Sequence, residues 1–532
     1  MMDDTRKRRE RLHQTAHAAP VGMAMRPQPA AAPAAVPNWP QRPSFCPPCN
    51  GAEGRDECVR ASCAPRAHPL ADPVQNAQLA DYERAVRARF DAIVPVLRQI
   101  AALQHEAGFE MQAQAIAREQ LGFELPADVL ADAWVTTLDM RKLYGHSVLH
   151  TFRDLVRDAW AQPHNGAAEA AAMMRFFIEC GFHEVDVSAC ADGRLKGLLH
   201  YILRLPQQAV RRHKSYAGTL FDVEANVKQW TETELRRFRE GLPTLPDAGT
   251  RYLKIAVYHF SSSDPHHEGC AAHGSDDRRA AQAALDRLNA FGTVIENGFC
   301  CGASVATLLI GVDTDNDAIR VHVPDAQGNM NLDCQVDNMA LFQATSGRNA
   351  SDARWRLGAS VEEAARLHGR SVPEPGMRRL IERLLENNLS QIDYVCAQHQ
   401  GRYADVGHAE RFISIGDGFD EVHLRNLAYF GHLHTVEEGA ADIDVGIRIF
   451  SRLNVAHGLP IPVAIHYRYD SQVPGARERS VERCRRVNAA IENRCPSLVR
   501  EGLLVCGMTV QASQAGSPLE EIEVNTVGMH GH

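Results

Sequence analysis

The sequence lacks a long, uninterrupted apolar run. A membrane-spanning helix needs roughly 20 consecutive apolar residues, and the nearest approach, residues 300–312, is shorter and contains Gly302 and Gly311. The N-terminus is charged but has no apolar core behind it, so it does not read as a secretory signal peptide. These two absences favour neither a membrane protein nor a secreted one.

An excess of positive charge is also missing. Lysine and arginine total 57 against 66 aspartate and glutamate residues, for a net charge of −9. General nucleic-acid binding favours a basic surface, so we expect no nucleic-acid partner. The 14 cysteines lack a secretory context, which favours thiols and metal ligands over a disulfide framework. A length of 532 residues predicts about two to four domains.

One short stretch combines a strand with chemically useful side chains. Apolar and polar residues alternate from Glu184 to Ala189, which predicts a strand, and Cys190 follows its end. Asp192 and Arg194 come next, at spacings that allow a charge-assisted pair beside the thiol. Taken alone, Cys190 is more often a small core residue and Asp-Gly-Arg more often a turn.

A second predicted strand, residues 252–260, carries His259 near its end, and Cys270 follows in the next loop. Thiolate and imidazole are good Zn²⁺ ligands, and three protein ligands with one open position is the catalytic arrangement of zinc. Spacing alone does not single out His259, because the same loop carries three further histidines: His266, His267 and His273.

Cys-x-Asp-x-Arg after a strand, with a later His and Cys, resembles the β-class carbonic anhydrases. Longer stretches are similar to the shell-associated carbonic anhydrases of α-carboxysomes, from about residue 75 to the C-terminus: residues 188–199, 251–259, 269–274 and 388–394. Ordinary β-class enzymes separate the His and Cys by two residues, whereas ten separate His259 from Cys270. The carboxysomal family shares the longer spacing.

The resemblance implies one zinc ion per chain, held by Cys190, His259 and Cys270. It implies that a zinc-bound hydroxide attacks CO2 while Asp192 orients it and Arg194 keeps Asp192 ionised and off the metal. The expected reaction interconverts bicarbonate and CO2 inside the α-carboxysome, a cytoplasmic compartment, on the inner side of its shell. CO2 would pass to Rubisco.

The predicted fold is α/β, because strands and helices alternate and the candidate ligands lie at strand ends. Individual helices are predicted at residues 79–105, from an apolar stripe, and at 195–205, directly after the motif. Four parts are predicted in order: a disordered tail (1–75), an all-helical domain (76–165), a catalytic zinc domain (166–404) and a degenerate carbonic-anhydrase-like repeat (405–532).

The repeat is inferred from a weak internal alignment. Residues 413–419 match 188–194, and residues 464–467 match 256–259, so that Cys190 becomes Ile415, Arg194 becomes Phe419 and His259 becomes Tyr467. Such residues hold no zinc, so we expect duplicated β-carbonic-anhydrase-like domains with a metal site only in the first. The resemblance implies halves packed like the subunits of a β-class dimer, and the chain itself is expected to form a homodimer or a larger homo-oligomer.

The tail carries two further patterns. Arg6, Lys7, Arg8, Arg9 and Arg11 form a basic cluster, which fits either a solvated charge run or a docking element. The resemblance implies that the tail tethers the enzyme to Rubisco, and shell proteins are a second possible partner. Four cysteines follow that could close a second zinc site or two disulfides, although ordinary thiols fit their irregular spacing better: Cys46, Cys49, Cys58 and Cys63.

Two other functions fit the same residues. One is hydrolysis of another small linear substrate, such as CS2, on the same scaffold. The other is a non-catalytic carboxysome scaffold protein with a vestigial zinc site. An intact Cys-x-Asp-x-Arg favours catalysis, because the aligned second copy has lost that motif.

Overall fold

The structure, a computed structural model, describes residues 67–133, 136–161, 167–213, 215–241, 250–298, 303–403, 411–417, 425, 428–431, 436–514 and 517–522. Residues 67–532 form one compact unit. The basic cluster, the four tail cysteines and Phe419 lie outside the described residues. Among the described helices, none is both long and apolar enough to span a membrane.

Helices make up the N-terminal part. Asp72 caps the first of them, because its carboxylate accepts hydrogen bonds from the backbone N–H groups of Val74 and Gln75, and Pro73 begins the helix. The helices are α1 (Pro73–Asp91), α2 (Ile93–Ala101), α3 (Phe109–Gln120), α4 (Ala127–Asp132), α5 (Met140–Ala161) and α6 (Ala167–Glu179).

The first sheet has six strands in the order β2-β1-β5-β6-β7-β8. The pairs β1–β2, β1–β5 and β5–β6 are parallel, while β7 and β8 add antiparallel edges. The strands are β1 (Glu184–Ala189), β2 (Arg211–His213), β5 (Thr250–Phe260), β6 (Ala303–Asp313), β7 (Ile319–His322) and β8 (Gln335–Asp337), with a separate hairpin of β3 (Ser215–Tyr216) and β4 (Leu220–Phe221).

Five helices accompany this sheet. Two lie before and after β5 in the chain and pack against each other, as expected for parallel crossovers. The other three follow β8 and contribute to the same hydrophobic core. They are α7 (Val223–Arg239), α8 (Asp277–Gly298), α9 (Asn338–Thr345), α10 (Ala350–Leu367) and α11 (Pro375–His399).

The second sheet has five strands in the order β10-β9-β11-β12-β13. Its first three pairs are parallel and its last pair is antiparallel. The elements are β9 (Phe412–Gly416), β10 (Ala428–Gly431), α12 (Val436–Leu453), β11 (Ile461–Tyr469), α13 (Ala476–Arg494), α14 (Pro496–Arg500), β12 (Leu504–Ala512) and β13 (Leu519–Ile522). The protein is therefore a mixed α/β chain with N-terminal helices and two sheets rich in parallel strands.

Helix α5 packs directly on β11 and β12. The approach is close, since a Cβ added at Gly145 would lie 2.7 Å from the Cβ of Val505. Phe412 and Ala464 of the second sheet belong to the same hydrophobic core as the buried side chains of α2 to α5. The helical part and the second sheet therefore stabilise each other.

Two sequence predictions differ from the observed elements. The predicted helix at 79–105 is divided into α1 and α2 and ends at Ala101. The predicted helix at 195–205 is wrong, because the chain forms a 3₁₀ turn at Gly193–Leu195 and a π turn at Leu198–Ile202. Asp192 causes the tight first turn, since its carboxylate accepts a hydrogen bond from the backbone N–H of Arg194.

The chain is already anchored at His68, within the predicted tail. The backbone N–H of His68 donates to Asp393 at 2.8 Å, and its Nε2 lies 2.9 Å from the hydroxyl of Thr345. The backbone N–H of Asp72 donates to Ser390. Residues 67–75 are therefore part of the compact unit.

Candidate metal centre

Strand pairing brings the candidate residues together. Strands β1 and β5 are parallel neighbours with Ala189 opposite Val257, and the backbone N–H of Cys190 donates to the carbonyl of Val257 at 3.0 Å. Cys190, directly after β1, and His259, near the end of β5, therefore lie at the same end of the parallel strands, where loops form sites. The loop after β5 then returns with Cys270.

Cys190, His259 and Cys270 form a group whose ligand atoms all lie within 4.8 Å of one another. None of the three side chains is more than 3% exposed. Two sulfurs and one imidazole at this separation could hold a metal ion. No other cluster of three or more such ligands occurs within the described part of the chain.

The other histidines of the loop lie outside this group. His267 is exposed, and its Nδ1 lies 2.8 Å from the carboxylate of Asp264. His266 is also exposed. His273 turns toward the carbonyl of Gly218, 3.2 Å from its Nε2.

A backbone contact that the sequence did not indicate supports the Cys190 sulfur. The N–H of Gly218 donates to this Sγ at 3.2 Å. Gly218 has φ +82°, and a Cβ there would approach the Nε2 of His273 to 2.6 Å. Glycine is thus required for the backbone to reach the thiol.

The two thiols are close enough to share a proton. A hydrogen bond from Cys270, aided by His259, holds the pKa of Cys190 well below its usual range, although burial opposes this shift. The same hydrogen bond, together with burial, raises the pKa of Cys270. The pair of thiols therefore favours one thiolate, and its negative charge suits a cation beside it.

Asp192 and Arg194 form a forked ion pair. The Nε of Arg194 donates to Oδ1 of Asp192 and its Nη2 donates to Oδ2, both at 2.9 Å. The Oδ2 atom also lies 3.5 Å from the Nε2 of His259. The carboxylate therefore borders the ligand group while both of its oxygens are held by the guanidinium.

Two further groups hold the guanidinium of Arg194, and neither was predicted from the sequence. Its Nη1 donates to the carbonyl of Glu268 at 2.9 Å and to the hydroxyl of Thr314 at 3.2 Å. Glu268 belongs to the loop that ends at Cys270, and Thr314 follows β6. Arg194 thus connects Asp192 to two separate loops.

The loop between His259 and Cys270 is fixed by carboxylates. Asp315 accepts hydrogen bonds from the hydroxyl of Ser261 at 3.0 Å and from the N–H of Ser263 at 2.7 Å. Asp313 accepts one from the N–H of Ser262 at 3.2 Å. The turn after β6 therefore supports both the loop and Arg194.

The donor set fits a metal ion. The ligand atoms of Cys190, His259 and Cys270 converge on one buried point. The Nε2 atom of His259 lies 3.5 Å from Asp192, whereas its Nδ1 atom is buried without a hydrogen-bond partner among the described residues. Two buried thiols beside that ring offer the soft ligands that Zn²⁺ binds well.

Three family models together match most of the chain. Their descriptions are Carboxysome Shell Carbonic Anhydrase, N-terminal, at residues 68–160, the catalytic domain at 172–408 and the C-terminal part at 409–526. Cys190, His259 and Cys270 all fall within the match to the catalytic domain.

Curated relatives agree with these matches. A carboxysome shell carbonic anhydrase of Halothiobacillus neapolitanus is 50% identical over 461 residues, covering 86% of this chain and 90% of the relative. One of Parasynechococcus marenigrum is 50% identical over 463 residues, covering 86% and 79%. One of Hydrogenovibrio crunogenus is 42% identical over 480 residues, covering 89% and 90%. As the sequence resemblance predicted, the chain belongs to the carboxysome shell carbonic anhydrases.

Proposed function

We propose that Cys190, His259 and Cys270 hold one zinc ion per chain and that this site interconverts bicarbonate and CO2. Membership of the family makes the protein a carbonic anhydrase of the carboxysome, acting on CO2 and bicarbonate. The observation that carries the assignment of the site is the buried group of three ligand atoms within 4.8 Å, with a forked Asp–Arg pair beside it. A zinc ion bound there supplies a strong nucleophile from water at neutral pH.

Asp192 and Arg194 prepare the site for this chemistry. Arg194 holds both oxygens of the Asp192 carboxylate, which borders the ligand group 3.5 Å from the Nε2 of His259. The carboxylate can accept a hydrogen bond from the nucleophile and so orient its attack on CO2. Without Arg194, the carboxylate would be a competing ligand for the open position.

The second sheet is, in this proposal, a degenerate copy of the first. The order β10-β9-β11-β12-β13 repeats β2-β1-β5-β6-β7, with the same parallel and antiparallel pairs. Such a repeated order in one chain supports duplication. With this duplication, the proposed division of the chain is a helical domain at 76–165, a catalytic domain at 166–404 and a repeat at 405–532.

The backbone suggests a residue match that differs from the sequence alignment. The N–H of Cys190 donates to Val257, and in the second sheet the N–H of Asp417 donates to the carbonyl of His466 at 2.8 Å. Counting onward from these pairs, Cys190 corresponds to Asp417 and His259 to Arg468, instead of Ile415 and Tyr467. The guanidinium of Arg468 cannot replace an imidazole as a zinc ligand, because it has no acceptor atom. The repeat is therefore expected to hold no zinc.

Within the carboxysome, we assign the enzyme to the supply of CO2 to Rubisco. The basic cluster of residues 6–11 is the proposed tether, since a run of basic side chains can bind an acidic surface. A homodimer or larger homo-oligomer remains the expected assembly. The tether and the oligomer are both inferred from the family resemblance, and the basic cluster lies outside the described residues.

Stopped-flow CO2 hydration of the metal-analysed, full-length protein tests the proposed function. We expect fast hydration that depends on bound zinc and disappears after chelation. A protein that holds zinc at Cys190 but hydrates no CO2 would instead be a scaffold with a vestigial site. A protein that hydrates CO2 without any metal would refute the ligand assignment.

A further inference from the structure

A buried ion pair links the C-terminal part of the chain to the turn between β6 and β7, which also contacts Arg194. The Nε of Arg425 donates to Oδ1 of Asp317 at 3.1 Å, and neither side chain is more than 6% exposed. Arg425 also lies over the ring of Tyr403, 3.8 Å from its centroid. The second oxygen of Asp317 accepts hydrogen bonds from Gln391 and Tyr403.

Thr314 connects this ion pair to Arg194. Its carbonyl accepts a hydrogen bond from Nη2 of Arg425. Its hydroxyl donates to the carbonyl of Phe260 at 3.0 Å and accepts from Nη1 of Arg194 at 3.2 Å. Phe260 directly follows His259. Thr314 therefore connects the C-terminal part of the chain, the Asp192–Arg194 pair (the dyad) and the end of β5.

Arg194 and Arg425 line the same cavity, whose volume is about 10 Å³. Asp317 lines it as well. The Nη1 atom of Arg425 is buried and has no hydrogen-bond partner among the described residues. A cavity of this size holds at most about one water molecule, so the two guanidinium groups and the carboxylate of Asp317 are poorly screened from one another.

We propose that Arg425 is a positioning residue for the dyad: by neutralising Asp317 and holding Thr314, it keeps Arg194 on Asp192. This inference rests on the proposed role of Asp192 and Arg194. It also gives the metal-free repeat a function, because Arg425 lies in that part of the chain and supports the site of the other part.

The physical reason is competition for a cation. Without Arg425, the buried carboxylate of Asp317 would keep only neutral donors, and a buried unpaired charge is strongly unfavourable. Arg194 is the other guanidinium on the cavity wall. A shift of Arg194 toward Asp317 would release Asp192, which could then occupy the open metal position.

Four full-length variants test the inference. Arg425→Gln removes the cation, and Arg425→Gln with Asp317→Asn removes both charges. Asparagine suits position 317, where the backbone has φ +59°, because it tolerates the left-handed conformation. Arg194→Ala is the reference for a released Asp192. Arg494→Gln is the control, because it breaks a forked pair with Asp444 at the surface of the same repeat.

Two readouts are needed: CO2 hydration per bound zinc, and the visible spectrum of the cobalt(II)-substituted protein, which reports ligands at the open position. For Arg425→Gln we expect a roughly ten- to hundredfold loss of kcat/KM and a spectrum like that of Arg194→Ala. The double variant should recover most of the activity and the wild-type spectrum. Arg494→Gln should match the wild type.

Three results would overturn the inference. The first is an Arg425→Gln protein with wild-type activity and a wild-type cobalt spectrum. The second is a folded double variant whose activity and spectrum match those of Arg425→Gln. The third applies if Arg425→Gln does not fold: it is a folded double variant that resembles Arg194→Ala. A wild-type protein that hydrates no CO2 would refute the proposed function instead. The cobalt spectra would then decide the inference by themselves.

Discussion

The guanidinium of Arg194 and the carboxylate of Asp192 face each other in a fork of two 2.9 Å hydrogen bonds, with Arg194 2% exposed and Asp192 10% exposed. A buried pair of this geometry is strongly directional, because both oxygens are bound by one planar group. The Oδ2 atom of Asp192 lies 3.5 Å from the Nε2 of His259. Release of Asp192 from Arg194 would therefore directly alter the proposed metal site.

Arg194→Ala is expected to retain zinc and to lose activity by on the order of a hundredfold or more, because the freed carboxylate can close the open position. Arg194→Lys should be intermediate, since lysine keeps the charge but cannot form the fork. Stopped-flow hydration with metal analysis measures both effects. Hydration at the wild-type rate by Arg194→Ala would remove the dyad from the mechanism.

The second prediction concerns metal content. Protein that begins at residue 67 should bind about one zinc per chain, the number expected for a single three-ligand site. Cys190→Ser should lose the metal. Cys396 is a half-buried free thiol outside the group, so Cys396→Ser should keep the metal. Elemental analysis measures all three proteins. Two equivalents in the shortened protein would reveal a second site in the repeat or elsewhere.

The sequence predicted the elements on which the candidate ligands lie because those elements have local signals. Strand β1 was predicted with the observed bounds from its alternation of apolar and polar residues, and β5 differs from its prediction only at its first residues. The choice of His259 over its neighbours came from the family resemblance, and the structure brings that histidine to the two cysteines.

The supports of Arg194 could not be predicted in this way. Thr314 lies 120 positions from Arg194, and Arg425 lies 111 positions from Thr314. Such contacts depend on how two sheets and a turn pack, and no local pattern encodes that packing. The turns after Asp192 were missed for a related reason, since their geometry follows from the hydrogen bonds of Asp192 and not from the spacing of leucines.

The third prediction concerns acid stability. Burial raises the pKa of Glu83, but the nearby His399, a hydrogen bond from Tyr394 and the ion pair with Arg87 outweigh it and lower the pKa to about 2. Because the native state stabilises the charged carboxylate, this contribution is complete above pH of about 4.5 and is lost as the pH falls toward about 2.

Glu83→Gln should therefore lower the free energy of unfolding by about 3 kcal/mol at pH of about 7, and the deficit should shrink as the pH falls below about 4.5. Asp81→Asn, which breaks an exposed pair with Arg84 on the same helix, should change little. Urea unfolding of the three proteins across this pH range measures the difference. A deficit independent of pH would mean that Glu83 stabilises the fold through packing alone.

The fourth prediction concerns the tail. A peptide of residues 1–50 should bind Rubisco, more weakly at high salt, because the basic cluster would meet an acidic surface. Replacing the five basic residues between 6 and 11 by alanine should abolish binding, while a peptide of the same composition with those charges dispersed tests whether clustering matters. Equal Rubisco binding by an enzyme without the tail would contradict the tether. If the enzyme without the tail instead lost binding to shell protein, the tail's partner would be the shell.

The last prediction concerns the junction between α5 and the second sheet. Gly145 lies inside α5, after its first turn, where glycine normally weakens a helix by roughly 0.5–1 kcal/mol relative to alanine. An added methyl group at Gly145 would nevertheless meet the Cβ of Val505 at 2.7 Å, a distance that forces helix and strand apart. Gly145→Ala should therefore destabilise the fold by about 1–3 kcal/mol in spite of the better helix propensity.

Gly292 in α8 provides the matched control, because a Cβ there would meet nothing within 4 Å. Gly292→Ala should raise the free energy of unfolding by up to about 1 kcal/mol. The opposite signs of the two substitutions, measured by urea unfolding, would establish that α5 is seated on β12 as closely as described. If Gly145→Ala were stabilising like Gly292→Ala, the helix would have room to spare, and the helical part would not share its core with the second sheet.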